Sequence, residues 1–231
     1  MLRLALLILL AGITGVACER QAAKPAGTLV DRGTLITTQD GNVTARETFR
    51  ISKVGDHLVI AASSETVAGV ERAVQQDGEL ETDLQFRPLR LTYHYAAAAD
   101  GFRYTLGGTP LALDRTRDDG KKPEHVVSTG PVDVFIEGPG LIALTALCRV
   151  RQPTTLTTLS DGNSGFKGKV VVKTVAAAAK LQRLTIKFLD DFEVELYCDG
   201  DTMIASGLRN NHLWNVREGR ETDFAAARDA P

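Results

Sequence analysis

The residues of this sequence that could do chemistry are few and lie far apart in the chain. The four histidines never occur at the spacing of a metal-binding or protease motif; they are His57, His94, His125 and His212. The carboxylate pairs Asp190-Asp191 and Asp199-Gly200-Asp201 lie in turn-forming sequence, where Asp commonly bonds its own backbone. The sequence contains no P-loop, no GxGxxG and no GxSxG. It therefore predicts a protein that is not an enzyme, with no catalytic residue, no metal site and no cofactor.

The first 18 residues have the pattern of an export signal. Arg3 supplies a positive charge, and Leu4 to Ala11 form an unbroken apolar stretch of 8 residues. Such a stretch suits the apolar region of a signal peptide and is too short to cross a bilayer, which needs about 20 residues. The small residues Thr14-Gly15-Val16-Ala17 follow, and Cys18 comes directly after them. Residues 1–17 are therefore predicted to be removed on export.

This order of residues resembles the lipobox of bacterial lipoprotein precursors, with Gly15 standing where that family usually has Leu. The resemblance covers residues 1–18 and implies that Cys18 carries a diacylglyceryl thioether and becomes the mature N-terminus. Because each buried methylene contributes about 0.8 kcal/mol, two or three palmitate-like chains would hold the protein at a membrane. Residues 18–26 would then be a lipidated cysteine and a tether. The alternative is an ordinary secretory peptide with a chance cysteine.

The resemblance also implies a location. The protein is expected to be exported and lipid-anchored through Cys18 to a bacterial membrane, facing the periplasm. In lipoproteins of bacteria with two membranes, Asp directly after the cysteine often marks retention at the inner membrane. This chain has Glu19 there, which favours the outer membrane.

Cys148 and Cys198 are the cysteines that remain once Cys18 is assigned to lipid. Disulfides persist in exported proteins, and a bond between these two would close a loop of about 50 residues, worth about 4 kcal/mol in the chain-entropy description. The alternative is two buried free thiols, because cysteine often behaves as a small apolar residue. Without a CxxC pair, neither thiol is expected to be redox-active or nucleophilic.

Alternation of apolar and polar residues predicts the elements that must carry these groups. Between Val43 and Ile51 every second side chain is expected on the same face of a strand, and this two-residue period recurs along the chain. Such alternation is typical of antiparallel sheets with one solvent-exposed face. The apolar parity changes across Arg87-Pro88, which predicts a bulge or turn there. The other alternating segments are Leu80–Phe86, Leu89–Tyr95, Phe102–Leu106, Leu184–Phe188 and Phe192–Cys198.

One segment breaks the alternation. Within Pro131 to Val150, Leu141, Leu144, Thr145 and Cys148 recur at helical spacing after Pro139-Gly140. A short helix over about 139–150, apolar on most sides, is expected to be buried against the sheet. It would divide the body into halves of about 27–115 and 153–217.

The sequence thus predicts a mainly β fold: a curved antiparallel sheet, as a half-barrel or two meanders, in a single domain over 27–217. The charged run 114–125 is expected to be a solvated loop and 218–231 a flexible tail. A composition of 43% hydrophobic and 24% charged residues is ordinary for a globular chain. The net charge of −2 gives no general attraction to nucleic acid, which is not an expected partner.

The layout, rather than any residue motif, is similar to that of LolA/LppX-like lipoprotein-carrier folds. This resemblance implies an apolar cavity beneath residues 131–150 that binds a lipid or acyl chain. Inward apolar residues would line it: Phe49, Phe86, Tyr93, Phe102, Leu141, Leu144, Phe188 and Phe192. The alternative, which the sequence favours, is that these residues form the core of a structural or interaction protein with a partner in the cell envelope. An enzyme assembled from distant strands is the third hypothesis.

Overall fold

Among the residues that this computed structural model describes, fourteen β-strands form one antiparallel sheet. The structure describes residues 27–67, 74–97, 101–135, 141–160, 163–174, 181–188 and 192–229. The mainly β, antiparallel fold that the alternation predicted is confirmed. The strands are β1 (Thr28–Gln39), β2 (Asn42–Val54), β3 (His57–Thr66), β4 (Val74–Asp83), β5 (Pro88–Ala97), β6 (Phe102–Gly107), β7 (Ala112–Arg117), β8 (Glu124–Val127), β9 (Thr154–Ser160), β10 (Asn163–Thr174), β11 (Gln182–Phe188), β12 (Phe192–Asp199), β13 (Thr202–Leu208) and β14 (Leu213–Arg217).

The sheet consists of two meanders joined at its centre. Strands β1 to β8 pair in sequence order, as do β9 to β14, and β1 pairs with β14 from Leu35↔Arg217 to Gln39↔Leu213. The first and last strands therefore lie side by side in the middle, and β8 and β9 are the outer strands. The change of parity near Arg87-Pro88 corresponds to a register shift after Glu81 and a tight turn between β4 and β5.

The curvature of the sheet brings its two outer strands together. After β8, the backbone N–H groups of Asp133 and Val134 donate to the carbonyl of Thr157 on β9, at 2.7 and 3.3 Å. The N–H of Thr157 donates to the Asp133 carboxylate at 2.8 Å. As a result, both meanders turn their apolar faces toward one shared core, which includes Phe49, Leu91 and Ile186.

A 3-10 helix at Leu141–Arg149 lies against this core, within the segment where a short buried helix was predicted. With three residues per turn, Ile142, Thr145 and Cys148 share one face. The buried carboxylate of Glu47 accepts the N–H of Ile142 at 3.0 Å, and Thr145 Oγ1 accepts the N–H of Met203 at 3.3 Å. Cys148 forms a disulfide with Cys198 on β12, with Cα atoms 5.5 Å apart. The helix is thus fixed at both ends; Pro139-Gly140 lies outside the described residues.

Two segments form regular structure where the sequence suggested none. The charged run 114–125 was predicted to be a loop, but its ends belong to β7 and β8, and Asp114 bonds His125 across the two strands at 2.6 Å. The prediction of a flexible tail is wrong for the α-helix α1 (Glu221–Arg228). Phe224 and Ala227, three residues apart on this helix, bury themselves against the outer side of β12–β14, which stabilises an otherwise polar helix.

None of the helices in the described part of the chain is long and apolar enough to cross a membrane. Residues 1–26, with Cys18 and the predicted tether, lie outside the described residues.

Candidate binding site

The residues predicted to line an apolar cavity belong to the packed core where their side chains are described. Phe49, Phe86, Tyr93 and Leu144 are buried, and Phe102 is half-buried against Tyr95 and Tyr104. Leu141 begins the 3-10 helix, and Phe188 pairs with Phe192 between β11 and β12; the side chains of these three lie outside the described part.

The space beneath the 3-10 helix is filled by side chains. Ile142 and Cys148 are 0% exposed, and Ala143 and Leu147 are 1% exposed. Burial raises the pKa of the Tyr93 phenol above its usual value, and the Glu47 carboxylate raises it further. The interior therefore packs as a core in the region where the carrier resemblance implied a cavity.

A cleft of about 510 Å³ opens at one end of the first meander instead. Three segments meet there: the turn between β4 and β5, the turn between β6 and β7, and the chain that follows β8. Each contributes a proline, namely Pro88, Pro110 and Pro131. Proline fixes its own backbone angle, so the walls are stiff. Leu89, Leu111 and Val132 add apolar surface, and Leu89 is 38% exposed.

Hydrogen bonds hold one wall of the cleft in a defined shape. Asp83 Oδ1 accepts the N–H groups of Gln85 and Arg87, at 2.8 and 2.9 Å. Phe86, at φ 65°, adopts the left-handed conformation that a tight turn requires. Arg149, from the 3-10 helix, places its guanidinium 4.4 Å from the centre of the Phe86 ring and donates to the Leu84 carbonyl. The turn is thereby attached to the disulfide-linked helix.

Two polar side chains in this cleft have no partner within the described residues. Arg87 is exposed, and its guanidinium makes neither a hydrogen bond nor an ion pair there. Ser128 is only 8% exposed; its N–H bonds the Leu111 carbonyl at 2.8 Å, whereas its hydroxyl makes no bond among those residues. The cleft therefore offers a cation and a hydroxyl donor beside apolar walls. Neither residue was predicted from the sequence, because neither belongs to a motif.

A second depression of about 480 Å³ lies on the outer face of β3 to β6, above the small residues Ala61 and Gly78. The charged side chains at this depression are already paired with one another. His94 lies 3.6 Å from Asp77 and 3.9 Å from Asp118, and Arg103 lies 4.0 Å from Asp118. Within the described ranges, no three His, Cys, Asp or Glu side chains gather as metal ligands.

The outer side of the second meander buries a charged cluster that sequence reasoning also missed. The Glu195 carboxylate is 2% exposed and accepts hydrogen bonds from Arg183, Arg209 and Tyr197. Burial alone would raise the pKa of Glu195, but the bonds from Arg209, Tyr197 and Arg183 outweigh it and hold this pKa below its usual value. Burial and the bond to Glu195 raise the pKa of Tyr197 to about 12. None of these four residues lines either of the two clefts described above.

No known family's sequence description matches the chain, and no curated protein matches it. Among solved structures, it is similar to the beta-barrel-like protein of the domain of unknown function DUF1849 from Brucella abortus. That similarity has a TM-score of 0.51 at 11% identity and covers 80% of this chain and 94% of the other. A DUF1089 family protein from Pseudomonas aeruginosa matches with a TM-score of 0.44 at 10% identity, over 70% of this chain and 88% of the other. At such identities the first likeness concerns the fold alone.

Proposed function

We propose that this chain is a non-catalytic interaction protein of the bacterial cell envelope, held at a membrane by lipid on Cys18, that binds through the end cleft. The observation that carries this proposal is the cleft itself. It combines apolar walls on a stiff frame with two polar side chains that have no partner in the described residues.

The shape and lining of the cleft suit a binding site. Ligand sites are concave and mostly apolar, contain a few placed polar groups, and span roughly 300–1,000 Å³. The cleft's 510 Å³ falls in this range. Because prolines and the Asp83 hydrogen bonds fix the walls in advance, binding loses little conformational entropy there.

The alternative function, carriage of an acyl chain in the interior, needs space beneath the 3-10 helix. The described side chains occupy that space, since Ile142 and Leu147 are at most 1% exposed. The end cleft touches only the beginning of the predicted segment, at Pro131 and Val132. We therefore place binding in the end cleft and not in the interior.

The proposed anchor would keep the cleft near the membrane. Residues 18–26 are polar and small, and nine residues of extended chain reach at most about 30 Å. Metabolic labelling with palmitate tests the anchor. The wild-type protein should be labelled and fractionate with membranes, whereas Cys18→Ser should be unlabelled and soluble in the periplasm. An unlabelled wild-type protein would contradict the anchor.

Photocrosslinking in intact envelopes tests the cleft. A photoreactive residue at Leu89, 38% exposed in the cleft, should capture a discrete species. The matched control is Val43, which is 41% exposed on β2 and does not line the cleft. A Cβ at Gly130 meets no atom within 4 Å, so Gly130→Trp should fill the cleft without strain and abolish capture at Leu89. Equal capture at both positions, or capture that survives Gly130→Trp, would contradict the proposal.

A further inference from the structure

We infer that the end cleft selects a monoanionic amphiphile, with a carboxylate or phosphate head bound by Arg87 and Ser128 and an apolar body against the proline-lined walls. This inference rests on the proposed function, because it specifies the ligand of the same cleft.

Arg87 is the first support for the negative head. Its guanidinium lines the cleft and has no hydrogen bond or ion pair with any described residue. Arg217, by contrast, donates to both oxygens of Asp31, at 2.6 and 2.8 Å. A guanidinium binds carboxylate and phosphate oxygens through parallel N–H donors, so Arg87 suits a ligand head of that chemistry.

Ser128 is the second, independent support. Its side chain lines the cleft at 8% exposure, and its hydroxyl has no partner among the described residues. A serine hydroxyl can donate a hydrogen bond to an anionic oxygen bound beside it. The same ligand head therefore satisfies both side chains.

Asp83 sets the charge that the cleft accepts. It lines the same cleft, and its Oδ1 is already occupied by two backbone N–H groups. The formal charges of Asp83 and Arg87 cancel, so the cleft has no net positive charge to offset a second negative charge on the ligand head.

The walls define the rest of the ligand. The walls are formed by apolar side chains, those of Pro88, Pro110, Leu111 and Val132. Leu89 extends this apolar surface at the rim. Covering such surface contributes roughly 25 cal/mol per Å². A small anion without an apolar body, such as inorganic phosphate, would gain the head contacts alone and bind much more weakly.

Isothermal titration of the unlipidated mature chain, carrying Cys18→Ser, tests the inference. The probes are decanoate, the phosphodiester methyl decyl phosphate, decyltrimethylammonium and inorganic phosphate. Decanoate or the phosphodiester should bind, because each carries one negative charge and an apolar chain; the cationic probe and inorganic phosphate should not. Whichever of the two anions binds more tightly identifies the head. Arg87→Gln should weaken binding at least about tenfold, and Ser128→Ala about threefold. Arg90→Gln, an exposed arginine outside the cleft, is the matched control and should leave binding unchanged.

The outcomes separate the inference from the proposed function. Equal binding of anionic and cationic probes, abolished by Gly130→Trp but unaffected by Arg87→Gln, would overturn the charge selection and leave the cleft as the site. Absence of any binding, together with no capture at Leu89, would overturn both. Fluorescence of the single tryptophan, Trp214, checks that each variant is folded.

Discussion

Glu195 and Arg209 form a bidentate ion pair beneath α1. Arg209 Nε lies 2.7 Å from Glu195 Oε1, and Arg209 Nη2 lies 3.0 Å from Glu195 Oε2. Nη2 of the same guanidinium also donates to the Arg228 carbonyl at the end of α1, at 3.4 Å. The pair therefore links the centre of β12 to the C-terminal helix. It explains why residues that look like a frayed end have a fixed position.

Glu195→Gln should destabilise the fold. The substitution leaves Arg183 and Arg209 with a neutral partner in a site where the carboxylate is 2% exposed. Breaking a fully buried pair costs about 3–5 kcal/mol, and we expect about 2 kcal/mol because water reaches Arg209. Urea denaturation measures it. Glu193→Gln, on the same strand and paired with Lys187 at the surface, is the control and should change stability by less than about 0.5 kcal/mol. Equal effects would contradict the structural role of the cluster.

Acidification should remove the stabilisation that the Glu195 carboxylate contributes to the folded protein. Its pKa in the folded protein is below the ordinary value of 4.5, so the folded state binds its proton less readily than the unfolded chain does. The stabilisation is fully present above about pH 4.5 and is lost as the pH falls toward the folded-state pKa. The difference in unfolding free energy between wild type and Glu195→Gln should therefore shrink between pH 6 and pH 3. A difference that grows on acidification would show that the shift has the opposite sign.

The disulfide between Cys148 and Cys198 should stabilise the folded protein. The bond closes a loop with a sequence separation of 50 residues, worth about 4 kcal/mol in the chain-entropy description. The double variant Cys148→Ser/Cys198→Ser should lose stability of that order in urea. Intact mass spectrometry provides the direct check, since the wild-type protein should be lighter by two hydrogen atoms than its reduced form. Free thiols that react with a blocking reagent before reduction would contradict the bond.

The Phe224 side chain should hold α1 against the sheet and shield Trp214 from solvent. The Phe224 ring lies 5.2 Å from that of Tyr197 and 5.1 Å from that of Trp214. Phe224→Ala should cost about 3 kcal/mol and shift the emission of the only tryptophan to longer wavelength. Thr222→Ala, exposed on the same helix, should do neither. An unchanged spectrum for Phe224→Ala would mean that α1 does not cover β14.

Periodicity predicted the strands well because a residue's face in a sheet depends on its neighbours in sequence. The segment Val43 to Ile51 lies within β2, and the side chains of Phe49 and Ile51 point into the core as predicted. The buried helix was also predicted, because an apolar run interrupts the alternation of apolar and polar residues there. Its 3-10 form depends on contacts from Glu47 and Met203, which lie far away in the chain and leave no local signal.

The remaining features depend on long-range contacts. Nothing near Phe224 in the sequence shows that Tyr197 and Trp214 form a surface for it. The charged ends of the run 114–125 become strands because β6 offers a pairing edge to β7, and β7 in turn offers one to β8. The end cleft is harder still to predict, since its three prolines lie at the start of β5, in the turn before β7 and after β8, and only the folded sheet brings these segments together.

Native mass spectrometry of the chain purified from envelopes without delipidation tests the central claim most directly. We expect a bound small molecule on the wild-type protein and on Val43→Trp, and its loss in Gly130→Trp, whose indole should fill the cleft. A bare mass for all three proteins, or an adduct that Gly130→Trp retains, would contradict the assignment of binding to this cleft.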